Sequence, residues 1–238
     1  MKIIIFLFPI SLFIVFLGIK VTVPSTYSLI IQEDSAIEYA QALFYFLSSI
    51  LSGLIAKKFL KNSLTLHGTL YAILAVGLLF ISLEEISWGQ RIFNIPNSDY
   101  FAQHNVQREI SLHNLNTVAH SLHQFYMIVG AYGAFSWILV GLFMDKDKTK
   151  CQHLMNFIVP EWFISSYFFF VFFIYTLFDY IRPFAVGIGI SGLQVGTFLQ
   201  WRDQEPTELL LSLGFLTFTV SNYNKLKTCL KNIANKAC

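Results

Sequence analysis

Residues 65–87 read TLHGTLYAILAVGLLFISLEEIS and contain no Asp, Glu, Lys or Arg before Glu84 and Glu85. An apolar run of about 20 residues is long enough to cross the hydrocarbon core of a bilayer as one helix. Backbone polar groups inside lipid find no water, so such a run must satisfy them within a helix. The run therefore predicts a transmembrane helix that ends at two adjacent carboxylates.

The composition of the whole chain agrees with a membrane protein. Its 238 residues are 55% hydrophobic, 17% aromatic and 13% charged, whereas an ordinary soluble domain is about 25% charged. The formal net charge of +2 lacks the large basic excess of a nucleic-acid binder. The composition excludes a soluble globular enzyme and a nucleic-acid partner, and it indicates a protein surrounded by membrane lipids.

Similar apolar runs recur along the chain, and the last of them starts with Glu205-Pro206, where proline is a good first helical residue. The run after Lys2 is predicted to be an uncleaved anchor, because no small-residue pair follows it at the spacing that a signal peptidase needs. Residues 184–200 contain four glycines and are predicted to be a re-entrant or outer-surface segment. We predict one all-α polytopic domain, residues 1–238, with six transmembrane helices at about 3–22, 37–56, 65–87, 117–144, 160–181 and 206–223.

Positive charges predict the orientation. Eleven of the twelve lysines, all except Lys20, fall on one side of this six-span arrangement. Short cytoplasmic loops retain positive charge, so both termini are predicted to be cytoplasmic in a multi-pass protein of the cell inner (plasma) membrane. The cysteines fall on the same, reducing side, so no structural disulfide is expected. The four arginines and most carboxylates fall in the outer loops, which makes the outer face the predicted working face.

The carboxylates at the end of the third span are the first candidate for a site. Ionisable residues inside a membrane are expensive and mark functional positions. If the helix continues, Glu84, Trp88 and Arg91 share one face, so that Glu84 could pair with Arg91. The alternative is that Trp88 is an interfacial anchor and that the glutamates are solvated.

Histidines give the second candidate. If the fourth span already includes residue 113, then His113, Asn116, His120 and His123 lie within an arc of about 80°. Imidazoles carry protons near neutral pH and bind metals, so a divalent metal at His113, His120 and His123 is one interpretation. The other is that these histidines hydrogen-bond across helices.

The remaining charges near the outer helix ends have simple explanations. Carboxylates in a first helical turn offset the helix dipole, and two charges three residues apart on a helix form a local ion pair. The dipole explains Glu38, Glu205 and Glu208, and a local ion pair explains Asp179 and Arg182.

Part of the chain resembles a known family. The residues are Glu84-Glu85-Ile86-Ser87-Trp88-Gly89-Gln90-Arg91, then Asn105-Val106-Gln107-Arg108-Glu109 and Leu112-His113-Asn114-Leu115. They resemble an uncharacterised family of bacterial polytopic membrane proteins with an EEISWGQR segment followed by an NxQxExxLHN segment. The resemblance implies a membrane fold and marks these residues as a signature, and it assigns no reaction.

Together these features predict a polar site at the outer leaflet. The predicted catalytic residues are Glu84, Glu85, His113 and His120, and the predicted binding residues are Trp88, Gln90, Arg91, Asn105, Gln107, Glu109 and Asn114. One hypothesis is hydrolysis or group transfer on a lipid-linked substrate. In that hypothesis a carboxylate or metal-bound water acts as base or nucleophile, histidine relays the proton and arginine holds a phosphate.

The other hypothesis is a non-enzymatic membrane accessory, immunity or export-assembly protein whose outer motif is structural or binds a partner. The residues do not decide whether the protein is an enzyme. A transporter is disfavoured, because its charges would lie near the membrane midplane rather than at helix ends.

Overall fold

The protein is all-helical over the residues described by the computed structural model, which are 1–32, 35–90, 92–105, 109–112, 115, 118–143, 154–190 and 198–237. Side chains are described for all of these except 119, 120, 201 and 230–237. The α-helices are α1 (Lys2–Thr22), α2 (Pro24–Ile30), α3 (Ala36–Lys61), α4 (Thr65–Glu85), α5 (Asp99–His104), α6 (Ala119–Phe143), α7 (Met155–Ile158), α8 (Ser165–Thr176), α9 (Arg182–Gly187) and α10 (Glu205–Ala237).

Five of the predicted spans coincide with helices that are long and apolar enough to cross a membrane. They are α1, α3, α4, α6 and the segment Met155–Gly187, in which α8 passes through a π-helical turn into α9. The helix at the sixth predicted span, α10, has 33 residues and is about 50 Å long. It is less apolar than the other five and does not belong to this group.

The helices form a curved row. α3 packs against α4 on one side and α10 on the other, and α8 packs against α10 and α6. α6 approaches α8 so closely at Gly133 that a Cβ there would lie 2.1 Å from Cγ of Phe168. Small residues such as glycine permit contacts of this kind between membrane helices. The ends of the row, α4 and α6, make no extended contact in the described residues, which leaves a seam between them.

Serine hydroxyls fix the register of α3 against α4. Ser82 Oγ donates to the Ala42 carbonyl at 2.8 Å, and Ser49 Oγ donates to the Ala75 carbonyl at 2.7 Å. The two helices are therefore antiparallel, and Glu38 lies level with the end of α4.

The first helix is tied to the bundle at both ends. Near its start, Lys2 Nζ lies 3.3 Å from Glu161, and at its end Lys20 forms an ion pair with Asp203 in which both side chains are only 9% exposed. Tyr27 also donates to Asp203, at 2.9 Å. Burial, and next the Asp203 carboxylate, raise the pKa of Tyr27, so the phenol keeps its proton. The one lysine outside the predicted pattern, Lys20, thus has a carboxylate partner.

Two expectations need correction or extension at the C-terminal side. Cys229 is disulfide-bonded, so the expectation of no disulfide is wrong for this residue. A stable disulfide is typical of oxidising surroundings, which bears on the orientation of that end.

Phe184 lies in α9, so the fifth helical segment extends further than predicted, and residues 191–197 of the glycine-rich segment lie outside the described residues.

Replacing Lys20 should weaken the attachment of α1. Lys20→Met leaves the Asp203 carboxylate buried without its cation, and breaking a buried pair costs about 3 kcal/mol. Thermal unfolding in detergent should show a clear loss for Lys20→Met and almost none for Lys57→Met, because Lys57 is exposed. Equal effects of the two substitutions would contradict a stabilising role for the ion pair.

Candidate functional site

A left-handed turn ends α4. Ser87, Trp88 and Gly89 have φ angles of 47°, 54° and 76°, and such angles are rare outside glycine. The helix therefore stops at Glu85, and the predicted continuation that would align Glu84, Trp88 and Arg91 on one face is wrong. Arg91 itself lies outside the described residues.

Glu84 and Gln90 tie the end of α4 to the loop that follows α5. The Glu84 carboxylate is 3% exposed and accepts from the Trp88 indole N–H and, at 2.6 Å, from the Leu112 backbone N–H. Gln90 Oε1 accepts from the Ile110 backbone N–H at 2.6 Å. The Trp88 indole, an interfacial anchor in one interpretation, thus also donates a hydrogen bond to Glu84.

Glu109 and Asn105 add hydrogen bonds that fix the same loop. Glu109 accepts from Ser87 Oγ at 2.6 Å and from Ser111 Oγ at 3.2 Å, and Asn105 Nδ2 donates to the Ser111 carbonyl at 2.8 Å. Buried polar groups in proteins are normally paired in this way. We call Glu84, Gln90, Asn105 and Glu109 the loop network.

The predicted arc of imidazoles depends on where α6 begins. Leu115 forms an isolated antiparallel bridge with Asn105, and α6 begins at Ala119. The arc needs one helix from residue 113 to His123, and the chain is not helical at Leu115; His113 and Asn116 themselves lie outside the described residues. Five predicted site residues fall where the structure gives no side chain: Arg91, Gln107, His113 and Asn114 lie outside the described residues, and His120 lies in α6 without a described side chain.

The structure does not test the predicted metal site, because two of its three histidines have no described side chain. Among the described residues, no group of three or more His, Cys, Asp and Glu could hold a metal ion. His113 and His120 do not belong to the described side chains, so a divalent metal at His113, His120 and His123 stays a prediction.

Glu85 lies in a different environment from its neighbour. Successive residues of a helix point about 100° apart, and Glu85 faces the inside of the bundle, within electrostatic range of Glu208, Tyr45 and Tyr126. Tyr175 joins them through its contacts with Tyr126 and Glu208. We call these five residues, one each from α3, α4, α6, α8 and α10, the interior site: Tyr45, Glu85, Tyr126, Tyr175 and Glu208.

The tyrosines of the interior site form its buried wall. Tyr45 and Tyr175 are 1% and 0% exposed, and the rings of Tyr126 and Tyr175 lie 4.8 Å apart. Tyr175 donates its hydroxyl to the Glu208 carboxylate.

Glu85 has no such donor. It makes no hydrogen bond or ion pair within the described part of the chain. Although helices surround it, part of its surface stays accessible, as does part of Glu208. Because an enclosed carboxylate without a partner is unfavourable, Glu85 is a strong candidate for a functional group.

Acidic side chains at the starts of α3 and α10 form the rim of the interior site. Arg202 lies 3.6 Å from Glu38 and 3.8 Å from Glu205, and it donates to the Ile31 carbonyl at 3.0 Å. Gln41 Nε2 donates to the Glu205 carbonyl at 3.2 Å. These carboxylates therefore join helix ends in addition to offsetting helix dipoles.

A histidine and a carboxylate meet beside the interior site. His123 Nδ1 lies 3.1 Å from Asp179 Oδ1, and its ring is 5.0 Å from the ring of Tyr175 in an edge-on arrangement. A carboxylate at Nδ1 orients an imidazole and leaves Nε2 for proton transfer. The sequence analysis paired Asp179 with Arg182 and did not foresee this partner.

An apolar cavity of about 170 Å³ opens beside the seam. Its wall includes Leu70, Leu74, Val129, Tyr132, Phe168 and Phe215. Leu74 precedes Glu85 by eleven residues on α4, which is about 16 Å along the helix axis. The cavity thus lies toward the opposite end of α4 from the interior site.

Gln41 and the three tyrosines are not among the residues predicted from the sequence. Each is a polar side chain within an apolar span, and that local contrast is the signal that could have found them. Glu208 was noticed and explained by the helix dipole alone.

No protein-family model, curated protein or solved structure matches the chain. The resemblance to the family with the EEISWGQR segment rests on the quoted motif residues.

The two adjacent glutamates should respond oppositely to substitution. Glu84→Ala leaves two donors without an acceptor and should cost about 2 kcal/mol. Glu85→Gln removes an ionisable group that has no partner in the described chain, so stability should be unchanged or higher. Thermal unfolding of both variants in the same detergent checks this. A loss in Glu85→Gln as large as that in Glu84→Ala would contradict the assignment of different environments.

Proposed function

We propose that this integral membrane protein carries out hydrolysis or group transfer on a lipid-linked substrate, with the interior site as the reactive centre. The observation that carries the proposal is Glu85, a carboxyl group among five helices that makes no hydrogen bond or ion pair within the described part of the chain. Carboxylates in such settings serve as general bases or nucleophiles.

The neighbouring groups supply complementary roles. Glu208 is oriented by the Tyr175 hydroxyl, and His123 is oriented by Asp179. In this proposal Glu85 takes up a proton or attacks the substrate, and His123 relays a proton through Nε2.

The hypothesis assigns an arginine to bind a phosphate, but both arginines that the structure describes already contact other groups of the protein. Arg202 contacts Glu38 and Glu205, and Arg182 donates to the Phe178 carbonyl. The other two arginines, Arg91 and Arg108, lie outside the described residues.

The seam and the apolar cavity support a lipid as substrate. The cavity is lined by residues from both α4 and α6, the helices that border the seam. A hydrocarbon chain can occupy such a pocket with its headgroup toward the interior site, because apolar walls favour apolar groups.

Lipid analysis of expressing cells tests the proposal. Cells that produce the wild-type protein should accumulate a lipid product that is absent with Glu85→Gln, and rates with the purified protein should fall by a factor of about 10² or more. Asp99→Asn, which removes an exposed carboxylate from α5, serves as the matched control and should behave like wild type. Identical lipids in wild type and Glu85→Gln would contradict a reaction at this site.

The loop network favours a second candidate, a non-enzymatic accessory protein. Its four polar side chains are engaged within the protein, as expected of a structural motif. The segment that follows Gln90 and leads into α5 exposes Ile92, Phe93 and Tyr100, at 53%, 74% and 58% of their surface, which suits partner binding. A partner that co-purifies with wild type but not with Phe93→Ser, together with unchanged lipids, would favour this candidate.

We further propose six spans with both termini in the cytoplasm of an inner-membrane protein. The distribution of lysines supports this orientation. At one end of the bundle, Glu161 contacts both Lys2 and Lys225, from α1 and α10. The disulfide at Cys229 is the observation that speaks for the opposite orientation.

Reporter fusions decide between the two orientations. A green fluorescent protein fused to the C-terminus should fluoresce, and an alkaline phosphatase at the same position should be inactive, because the fusion point is predicted to be cytoplasmic. Fusion after residue 98, in the predicted outer loop, should give the reverse result and serves as the control. Active phosphatase at the C-terminus would contradict the proposed topology.

A further inference from the structure

We propose that the headgroup taken by the interior site carries a primary ammonium group, as in an aminophospholipid such as phosphatidylethanolamine. This inference rests on the proposed function, since it names the class of lipid-linked substrate. Three features carry it: the excess of carboxylates, an unpartnered amide oxygen and a wall of aromatic rings.

The carboxyl groups give the site a cluster of oxygens that suits a cation. Glu85 lies within electrostatic range of Glu208, Glu205 and Glu38. Within the described part of the chain, Arg202 is the cation that reaches this group, and it contacts Glu38 and Glu205 at the rim rather than Glu85. A cation bound among these carboxyl groups would favour their ionised forms and be held by them, whereas a bare phosphate would be disfavoured.

The second feature is the carboxamide of Gln41. Gln41 is 0% exposed, and its Oε1 has no hydrogen-bond partner among the described residues. Its Nε2 donates to the Glu205 carbonyl, which places the amide beside the carboxylates. A buried acceptor without a donor is unfavourable, and the N–H groups of an ammonium would satisfy it. A primary ammonium has three such donors, whereas a quaternary ammonium has none.

The third feature is aromatic. Tyr45, Tyr126 and Tyr175 are buried near the carboxyl groups, the rings of Tyr126 and Tyr175 lie 4.8 Å apart, and Tyr175 donates its hydroxyl to Glu208. The faces of aromatic rings attract cations, and more strongly where water is excluded. The rings add to the preference for an ammonium group and offer nothing comparable to an anionic headgroup.

Lipid binding by the full-length protein in a maltoside detergent tests the inference, read by native mass spectrometry with short-chain phosphatidylethanolamine, phosphatidylcholine and phosphatidylglycerol. Phosphatidylethanolamine should bind about tenfold or more tightly than phosphatidylglycerol, with phosphatidylcholine between them. Glu85→Gln and Glu208→Gln should each reduce the preference over phosphatidylglycerol. Gln41→Leu should remove the preference for phosphatidylethanolamine over phosphatidylcholine. The exposed Asp99→Asn should change neither ratio.

Several results would overturn the inference. One is binding of phosphatidylglycerol as tight as that of phosphatidylethanolamine, and another is an unchanged preference in both Glu85→Gln and Glu208→Gln. Ethanolamine binding as tightly as the intact lipid would overturn the lipid as the source of the ammonium group.

Binding is measured without turnover, so the two proposals can fail separately. A protein that prefers phosphatidylethanolamine but converts no lipid refutes the reaction and leaves the headgroup inference standing. Turnover of phosphatidylglycerol by the interior site refutes the headgroup inference alone.

Discussion

Hydrocarbon offers no hydrogen-bonding partner, and this constraint explains where the polar side chains of the protein lie. Lys20 is paired with Asp203, and Ser49 and Ser82 donate to carbonyls of the neighbouring helix. Because each of these groups must find its partner within the protein, helix packing and polar pairing are fixed together. A polar group without such a partner is therefore informative, and within the part of the chain that the structure describes, Glu85 and the Gln41 amide oxygen are of this kind.

Glu84 and Glu85 show how one helix turn can separate structure from chemistry. Glu84 faces the outer loop and accepts from two donors, whereas Glu85 faces the interior site and has none in the described chain. The left-handed turn at Ser87–Gly89 ends the helix directly after them and brings the loop over Glu84. A pair of adjacent carboxylates in a motif therefore need not share one role.

The sequence predicted the membrane helices well because length and apolar composition are local properties. It could not predict the interior site in full, because its contacts join distant positions. Tyr175 and Glu208 are 33 residues apart, and His123 and Asp179 are 56 residues apart. The turn after α4 was missed for another reason. Neither serine nor tryptophan favours a positive φ, so residue type gave no signal for a stop before Arg91.

The seam between α4 and α6 has a kinetic consequence for any lipid that enters through it. Such a molecule arrives by lateral diffusion, so the quantity that sets its encounter rate is its mole fraction in the leaflet rather than its amount per volume of solution. The rate at which the protein meets its lipid would then depend on the composition and the fluidity of the bilayer, as the rate for a soluble enzyme depends on its solvent.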